Sequence, residues 1–422
     1  MTLPDISPLP PVVSGLPRVG AGLPLLWDPT SFFARNRKKH GDTFVTDAFG
    51  FRMLCLFSPE GVKSLYALEE KNASFGLATY TLIKFKMPED LLFGRRVTPH
   101  QLFGRDLTET YVKALDDAVL AEIDHLGTSG TFEVFAEMRR VAHRLGLSSW
   151  GGPEMTKRLE ELMPLMDAMD SAEAFVRPVQ AFRTAATKQK REKAAMLEVD
   201  RIVGEVLAAG EPEGFLAQIA EAWEGEPEPA RTQGIARDLV LIHLGSLSNL
   251  YAALSWTLIN LLQRPELLAQ VKAGDDTLLE QCANESIRMA QRSITLRQVL
   301  RPVEINDGVR TYTAAPGSFI TTMLSVTNTT VAPGLETFDP THYTQRRLTV
   351  DLPAKELVST FGHKWHTCPA SRFSITAIRI AVRRLLEACD LQPLFTEVQP
   401  RKQQIGGISR SSKPVRVRYS AR

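Results

Sequence analysis

Phe361-Gly362-His363-Lys364-Trp365-His366-Thr367-Cys368-Pro369-Ala370 runs directly into SRFSITAIRIAVRRLLEAC, residues 371–389. The second segment reads as a long amphipathic helix. Phe373, Ile375, Ile378, Ile380, Val382, Leu385 and Leu386 supply its apolar face, and Arg379, Arg383 and Arg384 lie outside it. A cysteine just before such a helix sits near unpaired backbone N–H groups and the positive end of the helix dipole, which favours a thiolate. Three readings of Cys368 follow from the residues: a nucleophile, an axial ligand to a haem iron, or a small buried hydrophobe.

Working outward, the 422 residues suffice to bury a cofactor. The formal charge of +2 gives no polyanion-binding signal and speaks against nucleic acid as a partner. Cys55, Cys282, Cys368 and Cys389 are too widely spaced for a zinc site and suit free thiols in a reducing compartment. There is no signal-peptide pattern and no uninterrupted apolar run of about 18 residues. The expectation is a soluble, cytoplasmic protein with no integral membrane anchor. Oligomeric state is not legible.

The chain reads as a single domain over 1–422, mainly α with small β-sheets, behind an extended proline-rich lead-in over 1–25. A helix is predicted over 28–40, two strands around Gly50, and a proline-started helix from Pro59. Further helices are predicted over 107–126 and 131–149, with helices dominating 154–265. Residues 234–265 form an unusually apolar helix whose middle holds Gly245, Ser246, Ser248 and Asn249. Such a helix belongs in the core, where its polar groups require partners or a ligand. Residues 267–293 read as one helix, with Glu285 and Arg288 on one face. Short strands follow, and more strands are expected around Gly406-Gly407.

The order of these elements resembles the cytochrome P450 superfamily over nearly the whole length. The central helix comes first, then Glu285-Ser286-Ile287-Arg288, then Phe338-Asp339-Pro340-Thr341-His342-Tyr343, then the cysteine loop. The resemblance implies the cytochrome P450 fold and haem b (iron protoporphyrin IX), with Cys368 as the iron ligand and Phe361 shielding its sulfur. It implies His366 and Arg297 at the haem propionates, with His100 and Arg105 as further candidates. Glu285 and Arg288 match the family's structural ion pair, and His342 stands where an arginine is usual. Lys364 and Ala370 occupy positions where the family has glycine. At Lys364 that glycine often serves a positive φ.

Registering the central helix on Trp256-Thr257-Leu258 puts Asn249 at the family's usual threonine, Ser248 at its acid and Ser246 at its glycine. An asparagine cannot relay protons as an acid–alcohol pair does. Asn249 resembles two eukaryotic branches, the bile-acid-forming sterol hydroxylases and prostacyclin synthase, whereas the N-terminus suggests a bacterial enzyme. The resemblance therefore implies a monooxygenase. Its substrate is a medium-sized hydrophobic molecule, and its electrons come from a ferredoxin or flavin reductase. The alternatives are a redox-partner-independent isomerase or peroxygenase acting on a peroxide, and a non-catalytic haem-binding or helical interaction protein. Ser246, Asn249, Leu250, Leu300 and Ile405 are the expected pocket residues. Lys364, Arg379, Arg383 and Arg384 are candidates for docking an acidic electron donor.

Overall fold

The computed structural model describes residues 3–17, 19–84, 89–92, 96–97, 108–170, 184, 186–344, 348 and 351–422. The expected His100 and Arg105 lie outside these.

A six-stranded sheet in the order β2-β3-β4-β10-β7-β5 gathers strands from both halves of the chain. They are β2 (Val12–Val13), β3 (Thr43–Ala48), β4 (Phe51–Leu56), β5 (Ala73–Ser74), β7 (Ile294–Val299) and β10 (Phe319–Met323). The β3–β4 hairpin turns at Gly50, as its sequence predicts. A second sheet, β1-β9-β8, joins Ile6–Ser7 to Thr311–Ala314 and Val303–Asn306. Parts of the proline-rich lead-in are thus sheet strands, and a short helix, Gly22–Trp27, follows them.

The third sheet corrects the sequence reading. Residues 129–133 form β6, paired with β12 (Arg416–Ala421), which also pairs with β11 (Cys389–Pro393). The predicted 131–149 helix therefore begins only at Val134, where the Glu133 carboxylate caps the N–H of Ala136 at 2.8 Å. It ends in a π-turn, Leu147–Gly151. The predicted 267–293 helix is two, Pro265–Lys272 and Asp276–Ala290, divided at Gly274 with φ +108°. The strands expected around Gly406-Gly407 are β11 and β12, which flank it, with isolated bridges nearer the turn.

The central helix, Ala230–Leu262, has 33 residues and spans about 50 Å at 1.5 Å per residue. It is long and apolar enough to cross a membrane, yet 72% of its most apolar window is buried within the fold, as in a core helix. It packs on Val134–Gly146, Asp276–Ala290 and the helix after the cysteine, Ser371–Ala388. A buried polar chain helps fix its rotation. Trp150 Nε1 donates to His243 Nδ1 at 3.2 Å. Indole nitrogen only donates, so His243 carries its proton on Nε2. That proton reaches His143 Nδ1 at 2.9 Å, and His143 Nε2 in turn reaches Asp167 at 2.9 Å. Burial, with His143 alongside, pushes the His243 pKa well below the imidazole range, consistent with a neutral link.

Candidate functional site

Opposite His243, the central helix turns its other face away from the core. Gly245 and Asn249, one turn apart, are exposed, and Leu241, Ser246 and Ser248 are half-buried. A methyl group built on Gly245 would meet nothing within 4 Å. Exposure on one face of a helix otherwise enclosed by the fold marks a hollow beside it. Asn249 does not stand free in that hollow. Its Oδ1 accepts the N–H of Ile408 at 3.1 Å, and a Cβ on Gly407 would lie 2.8 Å from the same oxygen. Ser246 Oγ donates to the His243 carbonyl at 2.9 Å. Of the other expected lining residues, Leu250 is buried in the core, Ile405 is half-buried and Leu300 is exposed.

Cys368 is half-buried, three residues ahead of the first residue of the helix Ser371–Ala388. Its N–H donates to the Phe361 carbonyl at 2.7 Å, closing the loop on itself. Gly362 takes φ +77°, and a Cβ there would fall 2.1 Å from the His366 carbonyl oxygen, so only glycine fits. Lys364 takes φ +52°. The lysine thus carries the left-handed backbone that a glycine would serve, at a cost of about 1–2 kcal/mol. Ala370 has φ −89°, which any residue adopts. The thiolate expectation is corrected for the free thiol. Burial raises the Cys368 pKa, and the Ala370 N–H offsets this only in part.

Glu285 and Arg288 are fully buried and paired side-on at 2.7 and 2.6 Å. Glu285 Oε1 also accepts from the Asp339 N–H at 2.9 Å and faces His342 Nδ1 at 3.1 Å. The histidine thus occupies the third place in the network. Arg288 donates to the Asn328, Leu335 and Thr337 carbonyls. Asn328 carries the connection onward. Its amide donates to the carbonyls of Arg288 and Ser359, and its Oδ1 accepts the Ser359 N–H at 2.8 Å. Ser359 Oγ then accepts the Gly362 N–H at 3.1 Å. The ion pair is thereby linked to the cysteine loop through Asn328 and Ser359, two residues no motif marks.

Arg297 is fully buried on β7. One amino group donates to Leu68 O at 2.8 Å and Ala73 O at 3.4 Å, while its Nε and Nη2 have no hydrogen-bond partner. His366 Nε2 is likewise buried without one. Burial, then the Arg297 charge, press the His366 pKa down to about 4. Glu70 Oε2 lies 4.0 Å from His366 Nε2, but its carboxylate already accepts from Ser74 Oγ and the N–H groups of Phe75 and Gly76. A buried guanidinium with two idle donors is costly to leave empty. Unused donors beside a cysteine loop suit the carboxylates of a haem, the group implied by the sequence resemblance, and the residues present fit it.

The expected docking arginines are otherwise engaged. Arg379 and Arg383 bind Asp276, Arg379 also binds Glu280, and Arg384 binds Asp116 and Glu387. They line a polar surface cleft of about 380 Å³ and tie neighbouring helices together. In the cysteine loop, Lys364 and Trp365 are exposed.

The fold is that of a cytochrome P450. The retinoic acid-bound cyanobacterial CYP120A1 superposes over 100% of both chains with a TM-score of 0.76, at 17% identity. Human 24-hydroxycholesterol 7-alpha-hydroxylase is 21% identical over 452 residues, covering 98% of this chain and 94% of that protein. Abscisic acid 8'-hydroxylase 2 of Oryza sativa subsp. indica is 24% identical, covering 90% and 80%. No family model matches the sequence. In sequence over nearly its whole length, and in fold, the chain is similar to members of the cytochrome P450 superfamily.

Proposed function

We propose that this oxidoreductase is a haem-thiolate monooxygenase acting on a medium-sized hydrophobic molecule, with electrons supplied by an external ferredoxin or flavin reductase. The observation that carries the reading is the pair of idle donor groups, on Arg297 and His366, beside the Cys368 loop. Cys368 would ligate the iron of haem b, Arg297 and His366 would hold propionates, and Phe361 would shield the sulfur. Held by Cys368, the haem would supply dioxygen activation, with one oxygen atom going into a substrate C–H bond and the other leaving as water at the expense of the two donated electrons and two protons. The chain's own part is to close the cysteine loop, hydrogen-bond the propionates and present the Gly245–Asn249 face to substrate. The similar proteins are named for 24-hydroxycholesterol, abscisic acid and retinoic acid, all largely hydrocarbon molecules of comparable size. The protein would work in a bacterial cytoplasm.

A second reading is favoured by Asn249. Its side-chain oxygen is committed to the Ile408 N–H, and an amide does not relay protons. Rearrangement or oxygenation starting from a peroxide needs no such relay. The deciding experiment compares turnover with NAD(P)H and surrogate redox partners against turnover with a peroxide alone. Product from the first supports monooxygenation. Product from the peroxide alone, with none from the first, replaces it with the second reading.

A further inference from the structure

Arg292 ends the loop between the helix Asp276–Ala290 and β7, in the wall that carries Asn249. Its N–H donates to Gly407 O at 2.8 Å, and its carbonyl accepts from Gly406 N at 2.8 Å. Ser293 Oγ accepts the Gly407 N–H at 3.0 Å, and the next N–H, of Ile408, goes to Asn249. Arg292, Ser293, the Gly406–Ile408 turn and Asn249 are therefore one hydrogen-bonded rim beside the exposed face of the central helix.

The Arg292 guanidinium is used on one side only. Nη1 donates to Met289 O at 3.3 Å and Gln291 O at 2.9 Å, which caps the end of the preceding helix. Nε and Nη2 have no hydrogen bond among the described residues, and the side chain keeps accessible surface. No carboxylate pairs with it among the described residues. Asp28 acts on it only at longer range, and burial brings its pKa down to about 10. Arg297, by contrast, has idle nitrogens with no accessible surface. Nε and Nη2 share one edge of the guanidinium plane, the edge that meets a carboxylate with two parallel hydrogen bonds. Holding Nη1 on two carbonyls fixes the direction in which that edge points.

We propose that Arg292 is a specificity residue that binds the carboxylate of the substrate, so that the substrates are apolar carboxylic acids rather than neutral sterols or alcohols. This rests on the monooxygenase reading for where substrate lies, and it selects among the hydrophobic classes that reading leaves open.

The test is calorimetric titration of the full-length, haem-loaded protein with matched pairs: lauric acid against lauryl alcohol, and retinoic acid against retinol. In at least one pair the acid binds tenfold or more tightly. Arg292→Gln removes that preference and leaves alcohol binding unchanged, which also shows that the variant is folded. Arg292→Lys, which keeps the charge and loses the fork, retains part of the preference. Equal binding of acid and alcohol in every pair overturns the proposal. So does an acid preference that survives in Arg292→Gln, or no binding by either acid. Failure of the monooxygenase reading shows separately, as a reduced, carbon monoxide-treated protein lacking the thiolate-type Soret band or as no product with NAD(P)H and redox partners.

Discussion

The two walls of the hollow are built on opposite principles. On the cysteine side the chain closes on itself: Glu285, Arg288, Asn328, Ser359 and Gly362 form an unbroken run of hydrogen bonds, and Arg297 and His366 keep buried donors unused. On the central-helix side, Gly245, Ser248, Asn249 and Arg292 keep accessible surface. The first wall is rigid wherever it does not face the implied haem. Departures from the family pattern follow that division. On the closed wall His342 takes the third place in the ion-pair network and Lys364 adopts a left-handed backbone, whereas Asn249 stands where the resemblance implies a proton-relay residue.

The largest expected effect tests the closed wall at its ligand. Cys368→Ser leaves the Phe361–Cys368 backbone bond available and so keeps the fold, but abolishes the thiolate-type carbonyl Soret band of the reduced protein. Retention of that band in the variant would refute Cys368 as the iron ligand. Arg288→Ala comes next. It leaves the Glu285 carboxylate buried with only His342 and one N–H, and strips three carbonyls of a donor. Breaking a buried pair in this way costs about 3–5 kcal/mol. Urea unfolding should show that loss, together with poor haem retention. A variant within about 1 kcal/mol of the parent would show that the cysteine loop stands without its ion pair.

The closed wall was also the more legible of the two in the sequence. A cysteine before a helix and an i, i+3 pair are local patterns that bring out Cys368, Glu285 and Arg288, but the roles of all three, and Arg297 altogether, are legible only through the resemblance to the family. The wrong helix over 131–133 has a non-local cause. Thr131, Phe132 and Glu133 fit a helical register, but they pair with Arg416–Arg418 at the far end of the chain, and that sheet outweighs local propensity. The ion pairs of Arg379, Arg383 and Arg384 are hidden from the sequence for the same reason: Asp276 and Asp116 come from other helices. Asn328 and Arg292 carry no motif. What marks them is the bonds they make and, for Arg292, the edge left without one.

The open wall is tested by Asn249→Thr. The substitution restores the family's hydroxyl and gives up the bond to the Ile408 N–H, worth about 1 kcal/mol. If dioxygen is the oxidant, product formed per NAD(P)H consumed rises or holds, because the hydroxyl can donate to bound oxygen. A fall of more than about tenfold with haem retained, the scale of losing a proton-transfer group, would mean that Asn249 has a chemical role of its own. The open wall would then be specialised rather than merely permissive.

The smallest effect returns to the closed wall and asks whether it tolerates Lys364 at a cost. The left-handed backbone there is worth about 1–2 kcal/mol against any residue with a Cβ. Glycine removes that strain but raises the entropy of the unfolded chain by about 0.5–1 kcal/mol. Lys364→Gly should therefore stabilise the protein by up to about 1.5 kcal/mol in urea unfolding. The loop bonds around it, Thr367 N to Lys364 O at 3.1 Å and His366 N to His363 O at 3.0 Å, involve backbone that glycine retains. Gly362→Ala is the paired control. It forces a methyl against the His366 carbonyl and must destabilise, by more than Lys364→Gly gains. If Lys364→Gly is instead less stable than the parent, the lysine side chain contributes an attraction larger than its backbone strain. Being exposed in the cysteine loop, its ammonium would then be part of how this wall is built, and the substitution would not be a tolerated departure.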